Sequence, residues 1–261
     1  MEMIANLHTH TFRCHHASGT EREYIENAVK GGLKVFGFAD HAPYAFPEGY
    51  YSGFRMLREA QEDYVATLTA LKEEFRDKID VKIGYEAEYY PKFFADFLAL
   101  ITRFPVDYLI LGQHFMLNEM EGRYSGTATD REEDLVTYVD QTCEAMESGV
   151  FTYFAHPDLL NYRGDAKIFD KHYSRLIECA KKNAVPLEIN LLGVRDHRHY
   201  PHDRFLELCG EIGAEVCTGC DAHSPDVAVD VPSFEKAMEM VEKYGLKFNP
   251  CPELRPVPAS L

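Results

Sequence analysis

The sequence predicts an α/β fold in which β-then-α units wind into a parallel barrel of the TIM type, and three observations predict it. Seven short β-branched or aromatic runs alternate with longer segments of helical periodicity. The runs are almost continuously apolar, the pattern of strands buried on both faces of a parallel sheet. The chain has 261 residues, close to the roughly 250 that such a barrel takes. An open doubly wound sheet satisfies the same pattern and stands second, because closure leaves no mark on a sequence.

Strands are expected near residues 2–8, 34–40, 80–87, 107–113, 151–155, 186–191 and 215–220. Thr20-x-x-Glu23 reads as a capping box that opens the helix after the first strand, and Gly31-Gly32 ends that helix. Between residues 54 and 77, Leu57, Tyr64, Leu68, Leu71 and Phe75 recur at helical spacing and mark a stripe facing the core. Thr129-x-x-Glu132 reads as a second capping box, and Ser233, after Pro232, as the cap of the last helix. Leu246-Lys247-Phe248 fits either an eighth strand or an edge. No linker, repeat or low-complexity stretch marks a boundary, so a single domain over residues 1–261 is expected.

A net charge of −16, from 27 Lys plus Arg against 43 Asp plus Glu, argues against nucleic acid, whose binding rests on basic contacts to phosphates. The first residues lack a basic and apolar leader pattern and no apolar run is long enough to span a bilayer, so a cytoplasmic protein without membrane contact is expected. Seven dispersed cysteines read as reduced thiols. Cys217-Thr-Gly-Cys220 has redox spacing, but it lies in an apolar strand-like run and reads as structural. His172 opens a helix and is expected to face water, while His197-Arg-His199 falls in a solvated or substrate-facing loop.

The chemistry gathers at the strand ends. The first run ends in His8-Thr-His10, the second in Asp40-His41, the third in Glu86, the fourth in His114, the fifth in His156-Pro-Asp158, the sixth in Asn190 and the seventh in Asp221-Ala-His223. In a parallel barrel all these ends meet on one face. His8 with His10, and Asp221 with His223, are two apart and project to one side. Imidazole with carboxylate suits Zn, Fe or Mn, and the scarcity of cysteine among these residues argues against a closed structural zinc site. His8, His10, His16, His41, Glu86, His114, His156, Asp221 and His223 are too many for one ion with an open position, so two or three ions are implied, with Glu86 suited to bridge. Metals roughly 3.5 to 4 Å apart are a recurring device for phosphoester hydrolysis.

His8-Thr-His10 with its continuation to His16, Ala39-Asp40-His41, Gly84-Tyr-Glu86, Gly112-Gln-His114, Ala155-His-Pro-Asp158, Glu188-Ile-Asn190 with Gly193-Val-Arg195, and Asp221-Ala-His223-Ser-Pro resemble the PHP (polymerase and histidinol phosphatase) superfamily, in order from residue 4 to about 230. Within it the chain is most similar to the monofunctional histidinol-phosphate phosphatases. The resemblance implies a distorted (β/α)7 barrel and three divalent metal ions at the strand C-termini. It assigns His8, His10, Glu86 and Asp221 to the first ion, Glu86, His114 and His156 to the second, and His16, His41 and His223 to the third. His15 stands beside His16 as a rival ligand; the offset from His8 favours His16.

The activity so implied is hydrolysis of L-histidinol phosphate, a small phosphorylated substrate, through attack of a metal-bridging hydroxide on phosphorus. Glu86, Asp221, His223 and Arg195 are the expected catalytic set. Arg195 and Arg163 are expected to bind phosphate, with Arg55 a further candidate, because the guanidinium fork matches phosphate oxygens. Asn190 and Asp158 complete the expected substrate contacts, and Asp40 is expected to orient a ligand from behind. Two other hydrolases fit the pattern less well: a PHP-type esterase acting on a small nucleotide or other phosphate ester, and an amidohydrolase-like barrel, whose bridging lysine has no counterpart beside Gln113-His114. A metal store would leave the arginines unexplained.

Overall fold

The computed structural model describes residues 1–260. Along the chain run β1 (Ala5–Asn6), α1 (Glu21–Lys30), β2 (Val35–His41), α2 (Gln61–Phe75), β3 (Asp80–Ala87), α3 (Phe94–Ile101), β4 (Tyr108–Leu111), α4 (Glu132–Glu147), β5 (Phe151–Phe154), α5 (Ala166–Lys182), β6 (Leu187–Asn190), α6 (Leu191–Arg195), α7 (Asp203–Ile212), β7 (Glu215–Gly219), α8 (Val231–Tyr244) and β8 (Lys247–Phe248). The strands form one parallel sheet in chain order. The sheet curls until the ends after β1 and β7 meet: Thr9 pairs with Ala222, His10 N donates to Ala222 O at 2.9 Å and Ala222 N donates to His8 O at 3.2 Å. The two-residue β8 lies outside this ring, against the start of β7 through Glu215–Lys247 and Val216–Phe248.

Alternation along the strands divides the core. Tyr108 and Ile110 of β4 pack inside the barrel with Leu7, Ala39, Tyr153, Ala155 and Cys217, while Leu109 and Leu111 join the larger layer between sheet and helices. Tyr108 crosses the interior, donating to Leu7 O at 2.8 Å and lying 3.2 Å from Phe38 O. Gly37 and Gly84 make room for it, since a Cβ at either would collide with the Tyr108 ring. Beneath the barrel the chain after β8 passes under the strand starts, where Asn249 N donates to Val216 O at 2.7 Å and Leu254 packs against the interior cluster. Cys217 faces that interior and Cys220 the outer layer, both buried and free, so the redox-spaced pair is part of the packing.

The first capping box forms as expected, with Thr20 and Glu23 bonded reciprocally. The second does not: α4 starts at Glu132, and the Thr129 hydroxyl donates to Asp134 at 2.6 Å. Asp230 rather than Ser233 caps α8, its carboxylate accepting Ser233 N at 3.1 Å. The stripe of α2 is buried from Tyr64 to Phe75, whereas Leu57 is exposed in the extended residue before a single 3₁₀ turn. His172 is buried on α5 instead of facing water, because Glu132 reaches its Nε2 at 2.8 Å. No helix among the described residues is long and apolar enough to cross a membrane.

Candidate metal centre

The strand C-termini bring the nine sequence-derived ligands to one rim. Register sets the middle of the group, because His41 at the end of β2 pairs directly with Glu86 in β3. Five overlapping sets hold their ligand atoms within 4.8 Å: His8, Glu86 and His156; His8, His10 and Asp221; His10, His41 and Glu86; with a thiol, His10, Cys14 and His223; and His16, His41 and His223. His114 joins through its Nε2, 3.4 Å from Glu86 Oε1. The structure brings His16 into the last set, while His15 sits exposed at φ 69° in the turn before it. His156 and Asp221 have φ of 33° and 47°, a left-handed backbone costing about 1–3 kcal/mol that persists where the surroundings impose it.

The donor set passes a direct test for cations. Nε2 of His8, both ring nitrogens of His10, Nδ1 of His41 and Oε2 of Glu86 are buried without a hydrogen-bond partner. Such groups are rare in folded interiors unless something else satisfies them. All but His10 Nδ1, which turns to Asp40, face one another: His41 Nδ1 is 3.1 Å and His8 Nε2 3.7 Å from Glu86 Oε2, and His10 Nε2 is 3.1 Å from Asp221 Oδ1. Burial alone would raise the Glu86 carboxyl, yet His114, His41 and His8 hold it well below the usual carboxylate range. Asp221 is held down in the same way by His8, His10 and His223 against its burial. Burial lowers His8 and His10, but the carboxylates around them outweigh it, lifting His10 to about 9. Burial and the neighbouring His10 push His41 well down and His223 to about 3. The ionised carboxylates and the lowered His41 and His223 are already in the states a divalent ion needs, whereas an ion bound at His8 and His10 would displace their protons.

Behind the ligands stands a row of carboxylates. Glu188 accepts from His8 Nδ1 at 2.8 Å, from His156 N at 2.9 Å and from Asn190 Nδ2 at 2.8 Å. Glu88 lies 2.9 Å from His114 Nδ1 and is clamped in turn by Arg55 at 3.1 Å. Asp40 Oδ1 is 3.5 Å from His10 Nδ1 and its other oxygen accepts from Thr11, so it stands behind a ligand as expected. A carboxylate only accepts, so Nδ1 of His8 and of His114 carries a proton, and Nε2 is the nitrogen that would give its lone pair to a bound ion. Glu188 and Glu88 were absent from the sequence-derived set. Their signal was present: a glutamate inside the apolar run Leu187-Glu188-Ile189, and one two residues beyond Glu86 with the same strand parity.

Over the centre opens a cavity of about 450 Å³ lined by the candidate ligands His16, His41, His114, His156, Asp221 and His223 and by Phe54, Phe115, Tyr124, Leu159, Leu192, Arg198 and Tyr200. The expected phosphate ligands do not line it. Arg195 is drawn to Asp230 at 2.9 Å, Arg55 is buried between Glu88 and Glu119, and Arg163 is exposed on its loop. Asp158 is buried and accepts from His202 N at 2.5 Å, and Asn190 turns its amide to Glu188 and, at 3.2 Å, to Asp221. The cation at the cavity is Arg198, from the His197-Arg-His199 loop, donating to Tyr200 Oη at 2.9 Å.

A family model for the PHP domain matches residues 6–191. A probable histidinol-phosphatase of Deinococcus radiodurans is 30% identical over 234 residues, covering 86% of this chain and 88% of the relative. A probable histidinol-phosphatase of Schizosaccharomyces pombe is 26% identical over 249 residues, covering 85% of this chain and 81% of the relative. Among solved structures, the histidinol phosphate phosphatase of Lactococcus lactis subsp. lactis, complexed with zinc, L-histidinol and phosphate, superposes with a TM-score of 0.73 at 20% identity, covering 95% of this chain and 96% of that one.

Proposed function

Because the chain belongs to the PHP domain family, we propose that it is a metal-dependent phosphomonoester hydrolase converting L-histidinol phosphate and water to L-histidinol and phosphate, with residues 1–261 forming one catalytic domain. The observation that carries the reading is the group of buried, unpartnered ligand atoms on His8, His10, His41 and Glu86 beneath a cavity that also holds an arginine. The relatives from Deinococcus radiodurans and Schizosaccharomyces pombe supply the substrate.

Three divalent ions, Zn, Fe or Mn, fit the donor set. His8, His10, Glu86 and Asp221 would hold one, Glu86, His114 and His156 a second, and His16, His41 and His223 a third. Bound there, divalent cations supply a water that ionises near neutral pH and neutralise charge on the phosphoryl oxygens. The chain's own residues do the rest. Glu188 and Glu88 fix the tautomers of His8 and His114, and Arg198 offers its fork to phosphate with Tyr200 beside it. Phe54, Phe115 and Tyr124 present aromatic faces to the cationic leaving group. Seven free thiols suit the cytoplasm as the site of action.

The test is steady-state hydrolysis by protein purified without chelator and assayed for metal content. For L-histidinol phosphate kcat/KM is expected to exceed that for an aryl phosphate and for nucleoside monophosphates. Parity with the aryl phosphate overturns the substrate while leaving the phosphatase reading intact; undiminished activity in protein shown to be stripped of metal overturns the metal dependence.

A further inference from the structure

The seam between α4 and α5, on the outside of the barrel, carries a pair of thiols that hydrolysis does not use. Cys143 sits on α4 beside the buried Thr142, and Cys179 on α5 beside the buried Ala180, each at the edge of its helix's core-facing side and half-buried. The Cys179 thiol donates to the carbonyl oxygen of Cys143 at 3.8 Å, which places its sulfur against the backbone of the second cysteine. Asn183, at the end of α5, donates its amide to Cys179 Sγ at 3.4 Å and to Cys179 O at 2.9 Å. Both sulfurs open onto a surface groove that includes Asp140, Arg175 and Lys182. None of its lining residues belongs to the metal-centre cavity.

We propose that Cys143 and Cys179 are a reversible oxidation site, in which a small peroxide oxidises Cys179 and Cys143 then closes a disulfide between α4 and α5. Surface access separates this pair from four of the other five cysteines, and the second neighbouring thiol separates it from the half-buried Cys251. Cys14, Cys209, Cys217 and Cys220 are buried, whereas both members of the pair reach the surface. The neighbouring Cys143, with the Asn183 amide that donates to Cys179 Sγ at 3.4 Å and with Lys182, holds the Cys179 thiol below its ordinary value against its burial and Glu147, while Cys143 is raised by its neighbour and by burial. Burial raises the half-buried Cys251. An accessible thiolate beside a second thiol is the arrangement of a nucleophilic and a resolving cysteine.

The chemistry balances. The Cys179 thiolate attacks one peroxide oxygen, so an S–O bond forms as the O–O bond breaks, and the departing hydroxide takes the proton the thiol released and leaves as water. The Cys143 sulfur displaces the hydroxyl from Cys179, forming the S–S bond and releasing a second water. Two thiols are oxidised and one peroxide is reduced to two waters, and a dithiol reverses the bridge by exchange.

The test treats the metal-loaded protein with hydrogen peroxide, alkylates the remaining thiols and maps peptides without reduction. The expected result is an intact chain lighter by about 2 Da before alkylation, and afterwards the Cys143 and Cys179 peptides joined, with dithiothreitol restoring both thiols. In C143S, Cys179 is expected to stop at a dimedone-trappable sulfenic acid formed at about the parent rate, and C179S to oxidise roughly tenfold more slowly or less. A bridge between other cysteines, oxidation of Cys179 without bridging in the parent chain, or a Cys179 no faster than free glutathione each overturns the proposal. The readout is mass, so the outcome does not depend on the substrate.

Discussion

Replacing Glu188 by glutamine changes one oxygen to an amide nitrogen with almost no change in shape, and the hydrogen bonds around it make the consequence calculable. Glu188 receives His8 Nδ1 on Oε1, and His156 N together with Asn190 Nδ2 on Oε2. A glutamine accepts at one end only. If its NH2 faces His8, the imidazole must accept at Nδ1, which moves its proton to Nε2, the buried nitrogen that points into the centre. If its NH2 faces the other way, it meets two donors and leaves buried groups unsatisfied, at about 1–3 kcal/mol. Either orientation weakens the metal centre, and loss of such a supporting carboxylate typically costs 10- to 100-fold in metal affinity, about 1.4–2.8 kcal/mol. Equilibrium dialysis of E188Q against a graded zinc buffer, with metal counted per chain, is expected to show this shift together with a lower Tm in the loaded protein. An affinity within about twofold of the parent would refute the role given to Glu188.

Three further outcomes follow from the same geometry. A Cβ on Gly112 would collide with Glu86 Oε1, so G112A is expected to lose bound metal and activity together, read by metal content after gel filtration. R198M removes the cavity's arginine and is expected to lower kcat/KM for the phosphate ester by about 10- to 150-fold, equivalent to a charged hydrogen bond of roughly 1.5–3 kcal/mol, while Tm stays near the parent value because the residue is exposed. His202 caps α7 with neutral Nδ1 accepting Arg204 N at 3.2 Å, and burial, with Arg163 nearby, lowers its pKa from 6.5. Its contribution is therefore present above pH 6.5 and lost as pH falls through the lowered value. H202N, which caps without titrating, should gain on the parent by up to about 1 kcal/mol in urea unfolding between pH 7 and 5, and equal pH profiles would remove the cap from the explanation.

The barrel and the convergence of the nine candidate ligands on one rim were legible because both rest on short-range regularities. An apolar run that ends in histidine or carboxylate declares a strand and its functional end together, as in Phe36-Gly-Phe38-Ala-Asp40-His41. The loop arginines obey no such regularity. Arg195 and Arg198 are three residues apart at the end of α6, and the one that reaches the cavity is decided by Asp230, far along the chain, which captures Arg195. Arg55 likewise has the chemistry of a phosphate ligand, but Glu88 and Glu119 lie beside it and take its charge. The capping box at Thr129 failed for a local reason of the same kind, since Asp134 offered the hydroxyl another partner. Placement was readable where the backbone dictated direction, and not where a distant residue did.

The ring of strands is joined at its first and last members by the pairing of Thr9 with Ala222, and His8, His10, Asp221 and His223 flank that junction. Reactive site and clasp are therefore one place. A ligand shared by His10 and Asp221 would fasten the beginning of the chain to its final third, removing loop freedom that packing elsewhere does not touch. The amides of His10 and Ala222, which make the junction, would then report on site occupancy: slow hydrogen exchange when the clasp is shut, and faster exchange there than in the Phe36–Phe38 stretch of β2 when it opens.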